Sequence, residues 1–234
     1  MYDQSRLLVH EGNPMLPGAT KVSGGMYFAV EVPCNTEASL ILYRKGEKEP
    51  EAEIPFAESN RTGRMCAMMV SRFKPEQNEY NFRIDTKICQ DPYARGLAGR
   101  EAFGRVSEDK HEHRIRCSFP NLREYNWEGD VSPGISYQDM ILYKVHVRGY
   151  TRQAKVAPKK RGTFAGLKEM IPYWKELGIN AVELMPAYEF MERSTVEPGK
   201  AMIRQKHHKD KVNYWGYLPG FYFAPKSAYC ATKK

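Results

Sequence analysis

The stretch MILYKVHVRGYTRQAKVAPKKRGTFAGLKEMIPYWKELGINAVELMP, residues 140–186, decides the fold. It opens with an apolar, β-branched run at 140–148, which is typical of a buried strand. Gly149 is expected to end that strand, and a basic loop then extends to Arg161. A second run of strand type, at 179–185, closes the stretch.

A helix is predicted between these strands, with Thr163 as its N-cap. Pro172 predicts a kink or a break in the first helical turn, and Gly178 stands where a left-handed glycine ends a helix. Strand, helix and strand in this order predict two parallel neighbours with a right-handed crossover, as in a (β/α) barrel. Large apolar residues recur at steps of three and four, which places them on one helical face: Phe164, Leu167, Ile171, Trp174 and Leu177.

The first hundred residues predict a β-sandwich. Residues 1–25 are rich in glycine and proline, which predicts a loop-rich entry to the domain. Pro55 interrupts the run at 52–56 and cannot donate a backbone hydrogen bond, which indicates that this run is an edge strand. The chain is therefore divided into an immunoglobulin-like β-sandwich at 1–105, a connector at 106–137 and the start of an incomplete, truncated (β/α) TIM-type barrel at 138–234. Turn residues separate short runs of strand type at 26–32, 38–44, 52–56, 65–70 and 79–84.

Composition indicates a globular protein, with 41% hydrophobic and 12% aromatic residues. The net charge of +8 is concentrated in segments that read as solvated loops. The hypothesis of a nucleic-acid-binding protein is supported by that charge alone and by no recognised motif, so no nucleic-acid partner is expected. No run approaches the roughly 18 apolar residues of a membrane span, so no membrane partner is expected either.

The cysteines are odd in number and widely spaced, which argues against a disulfide framework or a zinc site. His207 and His208 are adjacent, so their side chains would diverge on a strand and a metal site there is not expected. The N-terminus has no apolar core of a signal peptide. A reduced, cytoplasmic protein without metal or cofactor is therefore predicted.

The segment NYWGYLPGFYF, residues 213–223, is dense in aromatic residues, while its glycines and proline exclude a regular helix. An aromatic loop beyond a barrel strand is a place where a flat sugar or base ring could stack. Alternatively, the same rings could simply cover the barrel core. The residues alone leave both interpretations open.

Four blocks resemble the alpha-amylase superfamily, glycoside hydrolase family 13, and within it the debranching branch of isoamylases, type I pullulanases and bacterial glycogen debranching enzymes. These blocks are YKVHVRGYT at 143–151, GTFAGL at 162–167, LGINAVELMP at 177–186, and NYWGY at 213–217 followed by FAPK at 223–226. The first domain resembles a family 48 carbohydrate-binding module at GAT (18–20), GMYFAV (25–30) and DPYA (91–94).

The resemblance implies that Tyr217 stacks on the glucose ring to be cleaved, supported by Trp215 and Tyr214. It implies an α-glucan partner, namely glycogen, amylopectin or their dextrins. Leu218 departs from the pattern, because family members usually carry Asp or Asn after that tyrosine.

Retaining glycosidases need two carboxyl groups roughly 5–5.5 Å apart, and in the family these come from later barrel strands. About 90 residues follow from Tyr143, whereas a complete barrel takes about 250. No catalytic residue is therefore named. Glu169 and Glu176 are expected on a solvated helix face, and Glu183 is expected to have a structural partner. The other carboxylates after Tyr143 match no catalytic block: Glu189, Glu192, Glu197 and Asp210.

The resemblance thus implies an N-terminal fragment of an enzyme that hydrolyses α-1,6 branch points in glycogen or starch, and the fragment is expected to be inactive on its own. The alternative is an α-glucan-binding protein without catalysis.

Overall fold

The computed structural model describes residues 7–104, 115–119, 126–192, 212–218 and 220–232. The chain divides into two compact units. The first consists of Met1–Gly99, Glu108–Arg123 and Phe221–Pro225, and the second of Arg100–Ser107, Glu124–Gly220 and Lys226–Lys234.

The first unit is a sandwich of two antiparallel sheets. Its strands are β1 (Leu8–Glu11), β2 (Gly18–Val22), β3 (Gly25–Glu31), β4 (Ala38–Arg44), β5 (Pro50–Pro55), β6 (Arg61–Thr62), β7 (Met65–Ser71), β8 (Asn78–Ile84), β9 (Lys87–Cys89), β10 (Leu97–Ala98) and β11 (Arg116–Ser118). One sheet has the order β1–β7–β3–β2, with β6 also paired to β7. The other has the order β10–β11–β8–β4–β5, with β9 also paired to β8.

The core of this unit lies between the two sheets, because alternate side chains of the central strands β3, β4, β7 and β8 join one buried cluster. Phe28 and Met68 of the first sheet and Leu40 and Phe82 of the second are fully buried in one cluster. The predicted β-sandwich is therefore confirmed. The end position of β5 confirms the edge strand that Pro55 indicated.

The expectation of a loop-rich entry over residues 1–25 is only partly correct for the described residues, which begin at residue 7, because two strands lie among them. β1 pairs with β7, and β2 pairs with β3. Gly18 begins β2 with a φ of +85°, so the glycine that suggested a loop starts a strand. Pairing with distant strands outweighed the local turn signals there.

The second unit contains β12 (Leu142–Val145), α1 (Val147–Thr151), α2 (Phe164–Lys168), α3 (Ile171–Glu176), β13 (Ala181–Leu184) and β14 (Tyr188–Phe190), and β15 (Gly220–Pro225) follows along the chain. β12 and β13 are parallel, with Leu142 opposite Ala181 and Val145 opposite Leu184. The parallel pair with helices between its strands confirms the predicted start of a (β/α) barrel. Within the described ranges, no helix has the length and apolar character required to cross a membrane.

Two predictions for this region need correction. Gly149 does not end the first strand. It lies inside α1, because the backbone N–H of Gly149 donates to Nδ1 of His146 (2.8 Å) and so caps a new helix. The single predicted helix is two helices, α2 and α3, with Pro172 in the first turn of α3, where its missing N–H costs nothing.

The predicted apolar face is only partly correct. Leu167 and Trp174 are buried, whereas Ile171 and Leu177 are exposed. The helix signals at both ends are confirmed. Gly166 N–H donates to the Thr163 hydroxyl, and Gly178 adopts a φ of +78°.

Candidate functional site

The aromatic loop, residues 213–218, is the exposed feature that the sequence singled out. Trp215 and Tyr217 have 56% and 57% of their surface exposed, whereas Tyr214 is half-buried. Asn213 Oδ1 accepts a hydrogen bond from the N–H of Gly216 (3.1 Å). This bond closes a tight turn, which presents the two rings on either side of Gly216 to solvent.

Gly216 fixes how the aromatic loop packs. Its φ is +79°, a conformation that L side chains rarely adopt. A Cβ at this position would lie 2.5 Å from a ring carbon of Phe190, which is itself buried at the end of β14. Only glycine allows the loop backbone to approach this ring.

The aromatic loop is attached at the carboxyl end of β12. The imidazole of His146, the residue after β12, stacks on the ring of Tyr214 with centroids 4.5 Å apart and planes 13° apart. The Nζ of Lys144 lies 5.8 Å from the ring centroid of Tyr217. The three predicted substrate-binding residues therefore form one loop at the strand end where barrel enzymes carry their active sites.

Lys144 also pairs with Glu183, which lies opposite it in the parallel register of β12 and β13. Their side-chain atoms are 2.7 Å apart. The hydrogen bond to Glu183, followed by the contact with Tyr217, raises the pKa of Lys144. The predicted structural partner of Glu183 is thus confirmed.

Sequence reasoning missed a buried group of charges in this unit. Lys226 is fully excluded from solvent, and its Nζ lies 2.6 Å from Glu189 Oε1 and 2.5 Å from Glu192 Oε1. Arg100 approaches Glu189 at 3.4 Å and donates to the carbonyl of Phe190 (2.8 Å). A signal was present in the sequence, since Glu189 stands between the two aromatic residues of β14, but its cation lies 37 positions away.

Glu189 and Glu192 are not a hydrolytic pair. Since both contact one nitrogen, their nearest oxygens are separated by no more than about 5 Å, which falls close to the roughly 5–5.5 Å of retaining glycosidases. The space between them is filled by Lys226, and both side chains are buried. A sugar cannot reach them, so these carboxylates stabilise the fold.

The GAT and DPYA motifs, both in the first unit, pack against each other. Asp91 is buried and accepts hydrogen bonds from the hydroxyl of Tyr80 (2.6 Å) and the N–H of Tyr93 (2.9 Å). A Cβ at Gly18 would lie 2.8 Å from the Cβ of Tyr93 and 3.1 Å from Asp91 Oδ2. The GAT and DPYA blocks are thus two halves of one packed corner of the sandwich.

No group of three or more metal-ligating side chains occurs among the residues that the structure describes. His207 and His208 lie outside those residues.

Known proteins resemble the chain over most of its length. No protein-family model matches the chain. The chain is 29% identical over 248 residues to isoamylase 1, chloroplastic, of Arabidopsis thaliana. The aligned region covers 97% of this chain and 31% of that protein. It is 29% identical over 206 residues to the glycogen operon protein GlgX homolog of Haemophilus influenzae, covering 80% of this chain and 29% of that protein. Apo pullulanase from Paenibacillus barengoltzii shares the fold, with a TM-score of 0.65 and 20% identity over 91% of this chain and 32% of that one.

The resemblance that the motifs indicated, to the debranching branch of glycoside hydrolase family 13, is thus confirmed as a similarity over most of the chain. In particular, the relatives include isoamylases and glycogen operon protein GlgX homologues, and the solved structures of similar fold include pullulanases. The chain spans about a third of the length of these relatives. The relation of the first unit to family 48 carbohydrate-binding modules stays a prediction.

Proposed function

We propose that this chain supplies the β-sandwich and the first barrel strands of an α-1,6-glucan debranching hydrolase, together with part of its glucose-binding wall. The observation that carries this proposal is the exposure of Trp215 and Tyr217 at the carboxyl end of β12. Similarity to isoamylases over 97% of the chain supports the same assignment. A pullulanase of related fold has been crystallised with maltohexaose and alpha-cyclodextrin.

The proposed ligand is an α-1,4-linked glucan that carries α-1,6 branches: glycogen, amylopectin or their dextrins. The C–H face of a glucose ring is flat and weakly polar, so it packs on an exposed aromatic ring, while its hydroxyls stay in contact with water and charged groups. Tyr217 offers such a ring, and the ammonium of Lys144 lies beside it. Tyr214 has one ring face covered by His146, so it supports the loop.

This chain is proposed to bind glucan without hydrolysing it. The carboxylates that the structure brings together are buried and paired with Lys226. Glu183 is paired with Lys144, and Glu169 is paired with Lys160. Hydrolysis in the whole enzyme is assigned to carboxylates beyond these residues.

The test combines a binding assay and an activity assay on the purified 234-residue chain. Titration calorimetry with maltohexaose should show saturable binding, and incubation with amylopectin should release no reducing ends. Turnover above that of a heat-denatured sample would overturn the assignment of hydrolysis to other residues. A folded chain without affinity for maltohexaose or glycogen would overturn the proposed glucose-binding wall.

A further inference from the structure

His146 occupies the junction between β12, α1 and the aromatic loop. Its Nδ1 accepts a hydrogen bond from the N–H of Gly149 (2.8 Å), which caps α1. Its Nε2 lies 2.8 Å from the backbone carbonyl oxygen of Tyr214. One imidazole therefore joins the strand end to the loop that carries the exposed rings.

These two contacts are compatible with a single protonation state. A backbone N–H can only donate, so Nδ1 must carry a lone pair. A carbonyl oxygen can only accept, so Nε2 must carry the hydrogen. The neutral Nε2–H tautomer satisfies both contacts, and it also allows the Tyr229 hydroxyl oxygen, 3.3 Å from Nε2, to act as a second acceptor.

Aromatic rings enclose the same imidazole. The ring of Tyr214 stacks on one face, and the rings of Trp215 and Tyr229 meet it edge-on at 5.7 and 5.8 Å. Protonation of Nδ1 would point an N–H at the N–H of Gly149 and place a positive charge among these rings. The cap of α1 requires the neutral form, because an imidazolium has no acceptor for the Gly149 N–H. One rigid ring makes both contacts, so a ring that turns away from Gly149 also moves its Nε2–H away from the Tyr214 carbonyl.

The surroundings of His146 lower the pKa of its imidazole on balance. Burial lowers the pKa of the imidazole most, and the positive charge of Arg148, on α1, also lowers it. The hydrogen bond to the Tyr214 carbonyl raises it, without reversing the net shift below 6.5. The phenols of Tyr214 and Tyr229 also face this site, and Glu192 acts on Tyr229 and on Arg148.

We infer that His146 is the positioning residue of the glucose-binding wall, and that its neutral Nε2–H tautomer holds Tyr214 and Trp215 in the binding arrangement. This inference rests on the proposed function for its ligand. It goes beyond that function in making glucan affinity depend on the protonation of a buried residue behind the exposed rings. Affinity should be highest above pH 6.5 and should fall as the pH drops through the lowered pKa of His146.

Two substitutions separate the two hydrogen bonds. His146→Asn retains an acceptor near the Nδ1 position, so it can cap α1, but it cannot reach the Tyr214 carbonyl. His146→Gln places a neutral amide N–H near the Nε2 position, so it can reach that carbonyl, and it does not titrate. At pH 8, His146→Asn should bind maltohexaose roughly five- to tenfold more weakly than the parent chain, the usual effect of one lost hydrogen bond. Far-UV circular dichroism checks that both variants fold.

The pH profile distinguishes positioning from a purely structural role. Between pH 8 and 5, the parent chain should lose affinity with a one-proton midpoint below 6.5, whereas His146→Gln should show a flat profile. The ¹⁵N spectrum of labelled histidine should show a protonated Nε2 and an unprotonated Nδ1 at pH 8. Identical pH profiles for the parent chain and His146→Gln, or the opposite tautomer, would overturn the inference.

A sugar-independent measurement keeps the two proposals apart. The indole ¹H–¹⁵N resonance of Trp215 should shift with the titration of His146, with the resonance of Trp127 as the internal reference. If maltohexaose does not bind but Trp215 follows His146, the proposed function fails and the positioning role stands. If the Trp215 resonance does not respond to the titration of His146, the positioning role fails, whether or not maltohexaose binds.

Discussion

The side-chain nitrogen of Lys226 lies 2.6 Å from Glu189 Oε1, and neither side chain is accessible to solvent. Glu189 also accepts from the backbone N–H of Ser227 (2.8 Å). The pair therefore links Lys226 and Ser227 to β14. The last residue of β14, Phe190, packs against Gly216 of the aromatic loop. Buried charges of this kind are stable only while they are paired.

Lys226→Met is expected to destabilise the second unit strongly. The substitution keeps the length of the side chain but leaves Glu189 and Glu192 buried without their shared cation, at a cost of about 3–5 kcal/mol. Urea unfolding followed by the fluorescence of the buried Trp174 should report a loss in this range.

Lys160→Met provides the matched control. Lys160 also pairs with a glutamate, Glu169, but both side chains are partly exposed, so its loss should change the unfolding free energy much less. Equal effects of the two substitutions would show that the burial of the Lys226 cluster is energetically irrelevant.

The sequence predicted those elements whose signals are local. β4 was predicted at its observed bounds because residues 38–44 form an uninterrupted strand-type run between turns. Thr163 and Gly178 were identified correctly because a helix cap depends on the cap residue itself. The aromatic loop was found because Gly and Pro interrupt an otherwise apolar segment.

The elements that were missed depend on partners distant in sequence or on one side-chain bond. Nothing in residues 8–11 indicates that β7 lies beside them. The strand-type run 140–148 does not show that the imidazole of His146 will cap a helix. The cluster of Glu189, Glu192 and Lys226 requires side chains from two segments, and only the fold brings them together.

Gly216→Ala should impair glucan binding more than it impairs folding. A methyl group there would overlap Phe190 and would also be held at a φ of +79°, so the loop must move and carry Trp215 and Tyr217 with it. Affinity for maltohexaose should fall by about tenfold or more, equivalent to about 1.4 kcal/mol, as measured by titration calorimetry.

Gly134→Ala is the control for backbone strain alone. Gly134 has a φ of +64°, and its Cβ would meet nothing within 4 Å. This substitution should lower the unfolding free energy by about 1–2 kcal/mol at most and leave the affinity for maltohexaose unchanged. If Gly134→Ala and Gly216→Ala behaved alike, the contact with Phe190 would not matter for binding.

The exposed rings themselves can be tested by truncation. Tyr217→Ala and Trp215→Ala should each weaken maltohexaose binding by about 1–2 kcal/mol, because each removes an aromatic surface on which a sugar face can pack. Tyr217→Phe keeps the ring and should have a smaller effect. Tyr137→Ala removes a ring that is almost fully exposed elsewhere in the second unit and should leave affinity unchanged. An equal loss from Tyr137→Ala would indicate non-specific adsorption.

Tyr80→Phe should destabilise the sandwich in a pH-dependent way. The hydroxyl of Tyr80 donates to the buried carboxylate of Asp91, so its removal should cost about 1–3 kcal/mol at pH 7. Burial already raises the pKa of Asp91, and the hydrogen bond from Tyr80 opposes that shift. The variant should therefore raise the pKa of Asp91 further.

A carboxyl group whose pKa is raised by folding binds its proton more tightly in the folded state, so the folded state gains relative stability as the pH falls through that pKa. This pKa is higher in Tyr80→Phe, so the variant gains more folding stability on acidification than the parent chain does. The difference in unfolding free energy between the two proteins should therefore shrink on going from pH 7 to pH 4.5. Urea unfolding followed by far-UV circular dichroism at both values measures this change. Tyr137→Phe, the same substitution at an exposed residue, should be neutral at both. A Tyr80→Phe penalty that is equal at the two pH values would show that the ionised form of Asp91 does not depend on the Tyr80 hydroxyl.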